Sequence, residues 1–398
     1  MQPTRLLAIL LPMVIGLGRA TAAEPPEFSW RVRPAPLPQP SGNVIRVQTT
    51  DELFRAVANA APKTTVLLAD GVYSMPRCLV VRSDGLVLRG ESQNRSRVVL
   101  DGGEHRLGEL LALTACRGVT IADLTVRNVR WNAIKINSET GVQNLVIRNC
   151  VIHNVWQRGV KGVKVPPENR ESIRPAGCRI EHCLFYNDRP KQFSDDPADT
   201  AENFGGNYIS GIDAMYARDW VISDNVFWNI RGRTGTARGA VFLWFESEGC
   251  VVERNIIVDC DSGICFGNAH RPEGVPIHAV RCVARDNFLA RVPENGILVF
   301  HTRDCEIVYN TIHDPASRLG RLIRAGGENE GLLVAMNLLD GPEPRIESTG
   351  KMRFEGNIAG RFSHLFVDAR RGDLRLRESL PGNPGARMPT AADRQSKD

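Results

Sequence analysis

One residue type returns at the same place in a repeated unit, and no other feature restricts the chain as much. The stretch from Trp220 to Asn268 holds two copies of it. Each is a short alternating apolar run, an Asn, a second short run, a turn, and a third strand opening with Gly (Gly239 and Gly263). Aligned on that Asn, the column reads Asn128, Asn225, Asn255, Asn287, Asn310, Asn337 and Asn357, with Cys150 and Cys183 in the same place. Spacings run from 20 (337 to 357) to 42 (183 to 225). The short ones match three strands and three turns, and the long ones put insertions in loops on one side. A second column, Cys178, Cys250, Cys282 and Cys305, lies five residues earlier. Buried amides repeating in this way form a ladder from coil to coil.

The strands are rich in Val and Ile, and helical periodicity is nearly absent. A leucine-rich repeat would need a Leu framework and helical returns; a propeller would need longer, even blades. The reading is all-β: a right-handed parallel β-helix forming one domain over residues 43–378. Its 398 residues, 42% hydrophobic, are ample for a single extended core.

Outside that domain, residues 1–22 read as a secretory signal: Arg5, the apolar run Leu6 to Leu17, and the small-residue site Ala20-Thr21-Ala22. The run is too short to span a bilayer, so the mature chain is expected to be secreted or periplasmic, without a membrane span. Its removal takes Arg5 and Arg19 and no acid, lowering the formal charge from +5 to +3. That mild balance argues neither for nor against nucleic acid, export argues against a nucleic-acid partner, and an acidic polymer would have to meet a local basic patch. The ten Cys sit in repeat columns without metal-type spacing, so buried reduced thiols are expected, with one or two disulfides at most. Residues 23–42 are a Pro-rich linker, extended or disordered, and 379–398 a flexible, solvated tail. A monomer is expected.

Val44-Ile-Arg-Val opens a strand, and an amphipathic helix capped by Thr50 or Asp51 runs to about Ala61. Thr65 to Tyr73 returns as strand and turn. This stretch, with its EL…AV..A helix and LADG.Y turn, resembles the N-terminal cap of the pectin-lyase-like superfamily. It is particularly similar to the branch of alginate lyases and chondroitinase B. The resemblance implies an N-terminal cap helix over the end of the solenoid core and a carbohydrate-active protein.

Aligning the third strands of successive coils puts Ile134, Val163, Ile212, Val241, Ile264 and Ile297 inward. Alternation then puts Lys135, Lys164, Asp213, Phe242, Cys265 and Leu298 in one outward column, about 4.8 Å apart. Two lysines and an aspartate beside the long polar insertion Tyr186–Asn207 are the most site-like group. β-Elimination on a uronate needs a base for the C5 proton, a cation for the enolate and an acid for the leaving oxygen. Lys164 is the expected base, with Lys135 or Lys161 on the substrate carboxylate and Arg238 stabilising charge or donating the proton. His270, Arg271 and His301 would line neighbouring subsites, with Trp244 and Phe245 against sugar rings. The resemblance implies the same pairing of a Lys base with an Arg.

The alternatives are a glycoside hydrolase using Asp213 with Glu246, a uronate epimerase, or a non-catalytic glycan-binding protein. Equally, Lys164 and Asp213 would be a plain ion pair worth under about 1 kcal/mol. No metal ligand set is evident: the Asp cluster of calcium-using pectate lyases is reduced to Asp213. Ca²⁺ would have to draw on Asp188, Asp195, Asp196, Asp199 and Glu202 of the insertion.

Overall fold

The computed structural model describes residues 25–103 and 106–388; the expected signal segment lies outside them. Short strands, most of them three to six residues long, alternate with tight turns, and almost every strand pairs in parallel with its counterpart one coil away. Among the described residues the first sheet runs from Val44–Val47 to Met352–Glu355 and the second from Gly71–Ser74 to Ile358–Gly360. The third runs from Leu79–Val81 to Arg345–Thr349. Three parallel walls wound by one chain make a β-helix.

The interior is apolar because alternation points every second residue of each wall inward. In the third sheet Ile134, Val160, Ile212, Val241, Ile264, Ile297 and Ile323 lie directly above one another. All are fully buried in a core that continues from Val47 to Leu339. The helix, Thr50–Ala58, buries Leu53, Phe54, Ala56 and Val57. Its N-cap is Thr49 rather than Thr50 or Asp51: Thr49 accepts from the Glu52 N–H, and Glu52 reaches back in a capping box.

At the corner between the first and second sheets stands the amide ladder, from Asn225 through Asn255, Asn287, Asn310 and Asn337 to Asn357. In each step the upper side-chain oxygen accepts both the backbone N–H and the amide N–H₂ of the Asn below, at 2.8–3.1 Å. The same amide also donates to a strand carbonyl of the preceding coil, as Asn287 does to Val252. Cys183 continues the column, its N–H donating to Asn225. Asn128 does not belong to it. Val151 bonds back to Leu124, so Leu124 holds the ladder place in that coil, and Asn128 turns a different corner at φ 59° beside Asp101. All ten thiols are free, and nine are buried.

The two end segments depart from expectation. The Pro-rich lead-in is docked: Phe28 and Trp30 pack with Phe288, Arg31 donates to the Asp224 carbonyl, and Arg148 and Arg89 hold the carbonyls of Ala35 and Pro38. Residues 381–388 are also seated. Gly385 N–H donates to Met336 O at 2.7 Å, and Arg387 pairs with Asp286 at 2.9 Å. Each carries apolar or charged anchors that outweigh its loop-like composition.

Replacing Asn287 with Ala takes the acceptor from the buried Asn255 backbone N–H and from one hydrogen of its side-chain amide, and takes the side-chain donor from the Val252 carbonyl. The N287A protein is expected to lose at least about 2 kcal/mol in urea unfolding. A loss below about 0.5 kcal/mol would mean the ladder is passive filling.

Candidate functional site

The outward column of the third sheet reads Lys135, Lys161, Asp213, Phe242, Cys265, Leu298 and Arg324. Lys161, not Lys164, stands between Lys135 and Asp213. The strand is Arg158–Gly162, and Lys164 is exposed beyond its end. Gly159 sets the register: a Cβ there would lie 2.5 Å from the Gly211 carbonyl oxygen and 2.8 Å from the Phe185 ring. Only glycine allows coils this close, so Gly159, rather than Gly162, matches Gly211.

Asp213 faces outward yet is fully buried. Its carboxylate accepts from Arg158 at 2.5 Å, from Lys161 at 3.0 Å and from the Trp244 indole N–H at 3.0 Å. Burial alone would raise its pKa, but the charges and hydrogen bonds of Lys161 and Arg158 hold it below the usual carboxylate value. The side chain of Arg158 is 1% exposed and lies under the Tyr208 ring, 3.7 Å from its centroid. Lys135 is tied elsewhere, to Glu109 at 2.9 Å. The expected trio is therefore dispersed: Asp213 sits in an enclosed charge network with Arg158 and Lys161, Lys135 pairs with Glu109, and Lys164 stands exposed beyond the strand.

The polar insertion is pinned to this wall. Lys191, without exposed surface, pairs with Asp196 at 3.0 Å and Asp199 at 2.7 Å. Asp195 is held by Arg189, and Asp188 by His153 and Asn154. With Lys191 among them and their oxygens already engaged, these acids do not fit a Ca²⁺ site, and no three ligating side chains converge among the described residues.

Next to the network opens a cleft of about 470 Å³. Phe242, Cys265 and Leu298 form its base, and Phe204 and Asn207 of the insertion form one side. Arg238, Asn268, Glu294, Asn295 and Arg324 supply the polar rim. Burial pushes the Cys265 thiol up to about 12, so it acts as a small hydrophobe. Glu294 pairs with Arg321 at 2.9 Å and Arg324 with Glu347 at 2.7 Å. Arg238 has no acidic partner among the described residues; burial and the nearby Arg158 lower its pKa. The turn carrying it is fixed by Asp261, fully buried, which accepts from the N–H groups of Gly232 and Ala237 at 2.7 and 3.0 Å. The Tyr208 hydroxyl likewise makes no hydrogen bond among the described residues, while its ring stacks on Phe204 4.4 Å away.

The remaining expected residues divide. Trp244 is half-buried, with its ring stacked on Phe242 at 4.7 Å and its N–H used by Asp213, and Phe245 is buried. Glu246 pairs with Arg170 at 2.8 Å; with Asp213 sealed, that couple cannot serve as two hydrolytic carboxyls. His270 and Arg271 are exposed, Arg271 lying 3.6 Å from Glu328. His301 is half-buried, and burial followed by Arg271 lowers its pKa. Between His301 and Trp244 lies His278, which sequence reasoning missed, fully buried with ring centroids 5.9 and 6.3 Å away. Arg158, Tyr208, Asp261 and Arg324 were missed too. Only the first carried a signal, the glycine that follows it.

Comparison with known proteins places these features in context. The model of the right handed β-helix region matches residues 110–317, just over half of the chain. No curated protein matches. Among solved structures, the catalytic unit of a GH87 α-1,3-glucanase from Streptomyces thermodiastaticus is 14% identical with a TM-score of 0.53. The match covers 81% of this chain and 64% of that one. An exopolygalacturonase from Thermotoga maritima is 11% identical (TM-score 0.49, 83% and 94% covered). An alginate lyase from Paenibacillus is also 11% identical (TM-score 0.40, 80% and 99% covered). At these identities the likeness is one of fold.

Two measurements follow. Asp213→Asn removes the charge that holds Arg158 and Lys161 inside the wall and is expected to cost about 3–5 kcal/mol in urea unfolding. A loss under about 1 kcal/mol would show the network to be solvated. Burial, then His301, lowers the pKa of His278 from 6.5 to about 4. The neutral imidazole therefore contributes stability that is complete above pH 6.5 and is lost as pH falls through about 4. Its contribution is about 3 kcal/mol. H278Q should flatten stability against pH across that window; parallel curves for the two proteins would contradict it.

Proposed function

The chain belongs to the right-handed β-helix family, and we propose that it is a carbohydrate-active member that binds an acidic, uronate-bearing glycan in the Arg238 cleft and cleaves it by β-elimination. One observation carries the reading: an unpaired guanidinium on a fixed turn overlooks a cleft with an apolar base and an amide-rich rim. Sugar rings offer apolar faces and hydroxyl edges, and a uronate adds a carboxylate that Arg can bind through two parallel hydrogen bonds.

Charge neutralisation by Arg238 would make the C5 proton more acidic. The base takes that proton, its electron pair forms the C4–C5 double bond through the enolate, and the C4–O bond breaks. The departing oxygen takes up a proton, giving an unsaturated sugar and a new chain end. Lys161 is poorly suited as the base, because losing its proton would leave Asp213 with one buried partner fewer. Lys164, outside the strand, no longer has the position that recommended it. Tyr208, unpaired and adjoining the cation cluster, is the side chain we assign to proton transfer, with export from the cell as part of the proposal.

A second reading, binding without cleavage, draws on a specific observation: the acidic side chains along this wall are already engaged by cations.

The test is a panel of polyuronates followed for the ultraviolet absorbance of unsaturated products and, separately, for binding. Cleavage of one polymer is expected, with R238A lowering kcat/KM about 100-fold or more. Y208F should lower kcat while leaving binding intact. Binding with no unsaturated product from any polymer would favour the second reading. Absence of both would defeat each of them.

A further inference from the structure

The opposite flank of the insertion borders a second cleft, of about 460 Å³, whose walls include Arg106, Arg130, Trp156 and Arg189. The coil geometry explains why these residues meet. Val129 and Val155 are register partners, so Arg130 and Trp156, the residues following them, occupy the same corner one coil apart. Trp156 N–H donates to the Val129 carbonyl at 3.0 Å, and Arg130 N–H donates to the Leu107 carbonyl at 2.9 Å, bringing in Arg106 from the coil before. Arg189, from the insertion, lies 4.5 Å over the Trp156 ring, anchored by Asp195 through both carboxylate oxygens. Arg106 and Arg130 have no acidic partner and no side-chain hydrogen bond among the described residues. Three guanidiniums and an indole therefore stand in successive coils, about 4.8 Å per coil, with two of the charges uncompensated among the described residues.

We propose that this corner is a second binding site for the same acidic glycan, taking carboxylate or sulfate groups on Arg106 and Arg130 while a sugar ring rests beside Trp156. The inference builds on the glycan reading of the Arg238 cleft, and its argument is charge complementarity together with continuity. One insertion supplies a wall to each cleft: Phe204 and Asn207 on one side, Arg189, Ser194 and Asp195 on the other. A stepwise column of cations along the helix axis suits a linear polyanion lying parallel to that axis. The modest net charge of +5 for the whole chain gives no general attraction for nucleic acid.

The experiment is calorimetric titration of the full chain with an oligouronate and, separately, with a heparin oligosaccharide and a DNA duplex. Wild type, R238A and the double variant R106A/R130A are compared. The oligouronate is expected to bind wild type at two sites. The double variant should lose one, its affinity there falling about tenfold or more, while R238A keeps that site and loses the other. Preference for heparin over oligouronate at this corner would identify sulfate as the favoured group. Failure of the Arg238 reading alone would appear as one site surviving in R238A and vanishing in the double variant. Unchanged affinity and stoichiometry in the double variant, or DNA binding as tight as glycan binding at the corner, would overturn the proposal. Melting temperatures keep the comparison sound: Arg106 is exposed and Arg130 half-buried, neither with a side-chain hydrogen bond among the described residues, so R106A/R130A should melt with wild type.

Discussion

A buried primary amide has two donors and an oxygen to place, and here each Asn of the ladder uses them on the coils beside it. Burying an unpartnered amide costs on the order of several kcal/mol, so the stack tolerates little slippage between coils from Asn225 to Asn357. That constraint reaches well beyond its own corner. Once the coils are locked in register at one corner, the identity of every outward neighbour on the third sheet follows. Phe242 is thereby set beside Asp213 and Cys265, and the turn bearing Arg238 is brought over them.

The same wall shows how charge is divided between architecture and recognition. Asp213, Arg158 and Lys161 are deep enough that removing one partner strands the others, whereas replacing the group by hydrocarbon would often be neutral. Such a network sets geometry more than stability, holding Trp244 and Tyr208 by hydrogen bond and ring stacking. Lys191 does the same for the insertion, converting an acidic, loop-like stretch into a fixed wall between two clefts. With these charges internally matched, the cations left unmatched among the described residues stand out. Arg238 faces one cleft, and Arg106 and Arg130 face the other.

How much of this could be read beforehand varies with the physics behind each signal. The ladder from Asn225 onward was legible because a buried amide has few substitutes and therefore repeats. Asn128 was misread because Asn also suits left-handed turns, and that is its place here. The outward column was legible in kind but displaced by three residues in one coil. Val163-Lys164-Val165 alternates as well as Val160-Lys161-Gly162 does, and only the closeness of Gly159 to Gly211 decides between them. Burial of Asp213 was not legible at all, since it depends on Arg158 and Trp244 arriving from other coils. Nor was the docking of the end segments, where Phe28, Trp30 and Arg387 reach across more than a hundred residues of sequence to find partners.

A co-crystal structure with an oligouronate tests the central claim most directly. A uronate carboxylate paired with the Arg238 guanidinium, its ring over Phe242 and Leu298, is the predicted result. An oligosaccharide resting on another wall, with Arg238 turned away and the cleft bare, would contradict the account.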